Sequence, residues 1–447
     1  MKTLRHFILP ISALLVIGCT PSAHISKSVT NTLLHSNELE HAHVGISVYD
    51  ASDNKSIYKY QSNKYFVPAS NTKLFTCYAA LKYLGDSLQG ILIAENDTAI
   101  ILVPTGDPTL LHRDYPNQPV IDALKNTPKK IYVIATNWRE EPLGFGWAWD
   151  DYNSDYMAER SPMPVYGNVI HFVQERDKTK SNESFANSVS VYSNPEINWK
   201  IRFNPDTSSK SFEVVRNRDE NIFQVTQGTE QKKEQDVPFI TNGIKSALEL
   251  LPDTIQKDIQ PWPHPSLDGI AKVRYIKSQP LDSMLTPMMH RSDNFFAEQS
   301  LLMVSAQLLS YMSTPGIIDT LLKSDLKDLP DKPRWVDGSG LSRYNLFSPD
   351  DFVWLLQKMK SEFGMDRLKH ILATGGTGTL SNFFKEERGV LFAKTGTLSG
   401  QVALSGFLYT KKNKLFVFSI LVNNHNGSAT AVRKSTEAFL KSIREQY

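Results

Sequence analysis

Three short residue groups in this chain could cooperate in covalent chemistry on a carbonyl: Ser70-x-x-Lys73, Ser292-Asp293-Asn294 and Lys394-Thr395-Gly396. A serine hydroxyl is a weak nucleophile until a base takes its proton. A lysine amine can be that base once burial or nearby positive charge lowers its pKa. On a helix, Ser70 and Lys73 would stand one turn apart on the same face. Ser70 would lie in the first turn, where free N–H groups and the dipole favour developing negative charge. On this reading Ser70 is the nucleophile and Lys73 its base, Lys394 supplies the charge that depresses Lys73, and Ser292 relays a proton between Lys73 and the leaving amine. Asn294 offers an amide to the substrate backbone and to Lys73. Lys394 and Thr395, with Thr397 beside them, suit a terminal carboxylate. Gly396 leaves room for close approach, and the N–H groups of Ser70 and Thr397 would flank a tetrahedral oxyanion. The first pair alone is weak, because Ser-x-x-Lys recurs at Ser52/Lys55, Ser56/Lys59 and Ser324/Lys327.

The elements around these groups give them a frame. Leu74, Cys77, Tyr78, Leu81 and Leu84 recur at helical spacing after Ser70, and Gly85 follows as a stop. Phe295, Phe296, Gln299, Leu302 and Met303 mark a helix directly after Asn294. The Lys394 group ends an apolar strand at 390–393, and further strands are expected at 402–408 and 415–422 with a turn at 410–413. Helices are expected at 350–359 and 430–447, and a hairpin pairs 44–49 with 57–60. The fold class is therefore α+β: an antiparallel sheet with helices on both faces, split across the sequence. Between its parts, 91–103 is strand-like, 105–109 a turn, and strands and loops without a long helical pattern run to about 240. A helix is expected at 241–251, with Pro261-Trp262-Pro263-His264-Pro265 as the hinge back. This assigns 41–88 and 265–447 to the catalytic domain and 89–264 to a mainly β insertion of two lobes.

The chain of 447 residues is long enough for at least two domains. A net charge of +2 gives no electrostatic case for nucleic acid. Lys2 and Arg5 precede a short apolar run at 7–17 that ends Gly18-Cys19. That is the pattern of a lipoprotein signal, so 1–18 is expected to be removed, Cys19 to carry lipid and 19–40 to be a tether. Thr20, rather than Asp, follows the cysteine, which favours outer-membrane sorting over inner-membrane retention. The one other cysteine, Cys77, then has no partner and reads as a small buried hydrophobe. His35, Glu38, Glu40, His41 and His43 match no zinc spacing and read as a solvated helix, so no metal is expected. Gly375-Gly376-Thr377-Gly378 lacks the Lys-Ser/Thr of a phosphate loop, and Ser339 and Ser342 do not form the G-x-S-x-G of a hydrolase elbow.

The three groups in this order are the S-x-x-K, S-D-N and K-T-G set of penicillin-recognising enzymes. Thr105-Gly106-Asp107-Pro108-Thr109-Leu110, Gly146-Trp147-Ala148-Trp149-Asp150-Asp151, residues 337–345 and Gly378-Thr379-Leu380 extend the likeness over essentially the whole mature chain. The chain resembles the class C low-molecular-mass penicillin-binding proteins, the D-alanyl-D-alanine carboxypeptidase/endopeptidases of peptidase family S13. The interval from Ser70 to Ser292 is long for a class A β-lactamase and suits this family. The resemblance implies a β-lactamase/transpeptidase-like domain carrying a large insertion with a smaller nested domain. It implies cleavage of peptidoglycan stem peptides through an acyl-enzyme on Ser70, trapping by β-lactams, and no cofactor. Two other readings stay open: a β-lactamase or esterase on the same fold, and a non-catalytic cell-wall-binding lipoprotein. Oligomeric state is not legible.

Overall fold

A computed structural model describes residues 33–34, 37–177, 189–204, 210–268, 270 and 272–447. Cys19 and the expected signal segment lie outside the described residues. The chain opens with the hairpin β1 (His43–Asp50) and β2 (Lys55–Tyr60), then α1 (Lys73–Tyr83). Near its end come β14 (Ala373–Thr374), β15 (Leu391–Leu398), β16 (Gln401–Tyr409) and β17 (Leu415–Asn423). These six strands form one antiparallel sheet in the order β14-β15-β16-β17-β1-β2. The two ends of the chain thus meet through eight residue pairs, from His43↔Asn423 to Asp50↔Phe416.

The sheet is covered on both faces, which explains why β17 is apolar along its length save for Ser419 and the terminal Asn423. Val417 and Leu421 pack with the helices of one face, and Phe416, Phe418, Ile420 and Val422 with the other. The second face is closed by a C-terminal helix (Ala429–Gln446) through Val432, Phe439, Leu440 and Ile443. On the first face lie α1 and the helices Leu281–His290, Asn294–Leu309 and Pro349–Phe363. α1 is buried on every side from Lys73 to Leu81, beyond the single apolar stripe read from sequence, because helices and sheet enclose it. Gly85, at φ +71°, ends it as expected.

The insertion is built on a five-stranded sheet, in the order β12 (Ile259–Pro261), β5 (Lys130–Val133), β4 (Ala99–Pro104), β3 (Ser87–Glu95) and β13 (Lys272–Pro280). Two three-stranded sheets follow within it: β11 (Lys232–Pro238), β6 (Val169–Arg176) and β7 (Val189–Asn194), and β8 (Lys200–Phe203), β10 (Ile222–Thr226) and β9 (Glu213–Arg216). β13 pairs with β3 from Lys272↔Glu95 to Pro280↔Ser87, so the sheet of the insertion runs beyond the expected boundary at 264/265. Of the proline run at 261–265, Pro261 ends β12 and 262–265 form a loop beyond it, where Trp262 packs edge-on against Tyr132.

Other expectations shift locally. The helix expected at 241–251 is Lys245–Ile255. Its start is displaced because Thr241 N–H is bonded to Glu159 Oε2, and Asn242 and Gly243 both have positive φ. Three short helices, Pro119–Asn126, Thr314–Lys323 and Met365–Ile371, were not legible. Around Glu38 the structure has a three-residue 3₁₀ turn instead of a helix, and His35 lies outside the described residues. No helix among the described residues is long and apolar enough to cross a membrane.

Candidate active site

Ser70 lies in a 3₁₀ turn, Ala69–Thr72, that leads directly into α1. Ala69 holds a positive φ of 48°, and Thr72 Oγ1 donates to its carbonyl at 2.9 Å. Asn71 Nδ2 donates to Ser405 Oγ on β16 at 2.8 Å, which pins the turn to the sheet. Lys73, one turn on, is wholly buried. Its Nζ is 2.6 Å from Asn294 Oδ1, 2.7 Å from the Ser339 carbonyl and 3.1 Å from Ser70 Oγ.

The second group is carried by the loop before the helix Asn294–Leu309. Asp293 caps that helix, accepting from Phe296 N–H at 2.9 Å. Ser292 has φ +63°, a left-handed conformation costing roughly 1–3 kcal/mol for a non-glycine residue. In that conformation its hydroxyl meets Lys394, whose Nζ lies 2.9 Å away. The bond expected between Ser292 and Lys73 is not among those of the described residues, so Ser292 is coupled to the KTG lysine. Asn294 Nδ2 donates to the Tyr156 carbonyl at 3.0 Å. That bond from the insertion fixes the amide orientation, turning Oδ1 toward Lys73.

The third group lies on β15, in register with β16 from Lys394↔Ser405 to Gly396↔Ala403. Thr395 is nearly buried, and its hydroxyl donates to Thr379 Oγ1 at 2.8 Å. Thr397 is exposed and accepts a bond from Arg433 of the C-terminal helix. A methyl at Gly396 would stand 2.6 Å from Pro68 O and 3.1 Å from Ser70 N. Both neighbours are backbone, so neither can yield cheaply. Gly396→Ala is therefore expected to push β15 off the Ser70 turn and slow fluorescent-penicillin acylation about 10²-fold, the scale of a 1 Å misplacement. Stopped-time labelling beside a melting curve checks this; an unchanged rate would show that the strand and the turn separate freely.

Burial lowers the Lys73 pKa to about 8, opposed by Asp337, Glu298 and Asp293. Desolvation, and not the charge of Lys394, is thus the main cause, which corrects the sequence expectation. Lys394 is also wholly buried and falls well below the usual lysine value, first through desolvation and then through Lys73 and Arg433.

The loop 337–345 proves to be the brace behind Lys73. Asp337 is buried and accepts from the N–H groups of Gly340 and Ser342 at 2.8 and 2.6 Å, from Asn345 Nδ2 at 2.7 Å and from Trp147 Nε1 at 3.0 Å. These bonds present the Ser339 carbonyl to Lys73. Ser339 N–H in turn donates to Glu298 Oε1 at 2.7 Å. Burial, then Asp337, raises the Glu298 pKa to about 7. Gly340, at φ +82°, could not hold a Cβ, which would fall 1.9 Å from Ala69 O.

The structure therefore brings Ser70, Lys73, Ser292, Asn294, Lys394, Thr395, Gly396 and Thr397 to one site, while Cys19 lies outside the described residues. Sequence reasoning missed Glu298, Arg433, the Ser339 carbonyl and the Tyr156 carbonyl. Glu298 and Arg433 look like ordinary positions in helical patterns, and backbone carbonyls leave no side-chain signal.

The family model described as D-Ala-D-Ala carboxypeptidase 3 (S13) matches residues 25–443. A D-alanyl-D-alanine carboxypeptidase of Actinomadura sp. is 25% identical over 470 aligned positions, covering 94% of this chain and 86% of that protein. Penicillin-binding protein 4 (dacB) of Haemophilus influenzae superposes with a TM-score of 0.70 at 20% identity, covering 94% of this chain and 98% of that one. The same protein complexed with a β-lactam superposes with a TM-score of 0.65 at 19% identity, with the same coverage. At such identities the superpositions establish the fold.

Proposed function

The chain belongs to the D-Ala-D-Ala carboxypeptidase (S13) family, and on that premise we propose that it removes the terminal D-Ala of peptidoglycan stem peptides through an ester on Ser70 and also hydrolyses D-Ala cross-links. The observation that carries this reading is the set of bonds around Lys73. A neutral amine has two N–H donors and one lone pair. With the Ser339 carbonyl and Asn294 Oδ1 accepting the two hydrogens, the lone pair is left for the Ser70 hydroxyl.

Lys73 takes the Ser70 proton as Oγ bonds to the carbonyl carbon of the penultimate D-Ala. The oxyanion forms between the N–H groups of Ser70 and Thr397. The C–N bond then breaks: the departing nitrogen takes the Ser292 proton, and Ser292, held by Lys394, regains one from Lys73, so the proton lost by Ser70 leaves on the amine. Water later cleaves the ester, its hydroxyl joining the acyl carbon and its proton returning through Lys73 to Ser70 Oγ. Lys394, Thr397 and Arg433 cluster where the substrate carboxylate would lie, with Thr395 held in place by Thr379. β-Lactams would be attacked by Ser70 in the same way and remain as a stable ester. On export, residues 1–18 are removed and Cys19 carries the lipid that holds the enzyme in the periplasm, at the outer membrane; the support for this part is Lys2, Arg5, the apolar run 7–17 and Gly18-Cys19.

The test is incubation of the purified protein with a D-Ala-D-Ala pentapeptide, a cross-linked dimer muropeptide and fluorescent penicillin. Release of D-Ala, conversion of dimer to monomers and a long-lived label are the expected results. Rapid turnover of the penicillin without D-Ala release would instead mark a β-lactamase.

A further inference from the structure

Carboxypeptidase chemistry needs space for a single departing D-Ala, yet a much larger cleft opens beside Ser292. It has a volume of about 460 Å³ and is walled on one side by Arg291, Ser292 and Asn294 and on the other by Arg113, Tyr166 and His171 of the insertion. A second cleft of about 640 Å³ shares Arg113, Asp155, Tyr156, His171 and Asp236 with it and continues to Lys233 and Glu234. Together they form a groove leading from the Ser292 loop over the nested lobe, of the size that takes peptide-scale ligands.

The lining is charged in both senses. Arg113 grips Asp236 with two nitrogens, at 3.1 and 2.7 Å, and His171 Nδ1 meets the same carboxylate at 2.7 Å. Arg113 still has 60% of its side chain exposed and N–H donors to spare. Asp155 is exposed and forms no ion pair among the described residues. A fixed cation and a free carboxylate on one groove suit a chain that bears both carboxylates and an amine.

We infer that this groove seats the second stem peptide of a cross-linked substrate, the one that departs carrying the freed amine. The inference rests on the cross-link hydrolysis proposed above. In that reaction the acyl carbon stays on Ser70 Oγ, the C–N bond breaks, and the nitrogen that takes the Ser292 proton belongs to a whole peptide. Because Ser292 faces the departing nitrogen, a groove that begins at Ser292 receives the leaving side first.

The test compares kcat/KM for a cross-linked dimer muropeptide and for a monomeric D-Ala-D-Ala pentapeptide in the wild type, Arg113→Ala and Asp155→Ala. The dimer-to-monomer ratio is expected to fall about tenfold in each variant, the loss of one charge-assisted hydrogen bond. Asp155→Ala guards against misfolding, since this exposed side chain has no ion pair to lose. A wild type that cuts the dimer while both variants keep its ratio overturns the groove assignment alone. A wild type that releases D-Ala but leaves the dimer uncut overturns the cross-link reading, and the groove assignment with it.

Discussion

Ser70→Ala is expected to abolish D-Ala release and penicillin labelling together, lowering kcat for the pentapeptide by at least about 10⁴-fold, the scale seen when a nucleophile acting within a coupled set is removed. The loss is large because the whole covalent route runs through one oxygen, and no other described hydroxyl bonds to Lys73 Nζ. The fold should survive. Ser70 is half-buried, and its replacement leaves Lys73 with two acceptors, Asn294 Oδ1 and the Ser339 carbonyl. Mass spectrometry after penicillin treatment checks the point directly. An alanine variant that still gains the penicillin mass would show that another residue is the nucleophile.

Lys73→Met carries the second large effect. Methionine approximates the length of the lysine stem but cannot take a proton, so acylation should slow about 10³-fold, within the usual range for general base catalysis. The pH dependence gives the sharper test. Lys73 acts only when neutral, and its pKa is lowered to about 8. The acylation rate of the wild type should therefore rise about tenfold per pH unit below 8 and level off above it. In Lys73→Met that rise should vanish. Glu298→Gln is expected to move the rise to lower pH, because the carboxylate favours the charged form of Lys73 and its removal makes the proton easier to lose. A purely structural role for Glu298 would lower the rate without moving the profile. If the wild-type profile is flat between pH 6 and 9, as a rough working range around that value, Lys73 is not the base.

Much of this site was legible because its chemistry sits in side chains with local signatures. Ser70 and Lys73 are one turn apart, a helical pattern begins directly after Asn294, and Lys394 follows an apolar run that the structure extends as a strand to Leu398. The central sheet was legible for a similar reason: β17 is apolar at seven of its first eight positions, and such a strand must be covered on both faces. The extent of the insertion was not. β13 has exposed residues along most of its length, and only its pairing with β3 places it in the insertion's sheet. The proline run before it looked like a domain hinge because proline marks a strand's end without saying which sheet the next strand joins.

The sequence by itself determined the nucleophile candidate, its amine partner, the two accompanying groups and the α+β sheet that carries them, since each depends on residue type and local periodicity. Only the tertiary structure decided how Lys73 is held. The Ser339 and Tyr156 carbonyls, the buried Glu298 and Asp337, and Arg433 beyond Thr397 come from segments far apart in the chain. Backbone carbonyls exist at every residue, and burial is a property of the packed whole. The low Lys73 pKa and the direction of its lone pair therefore appear only once the helices, sheet and insertion have closed around it.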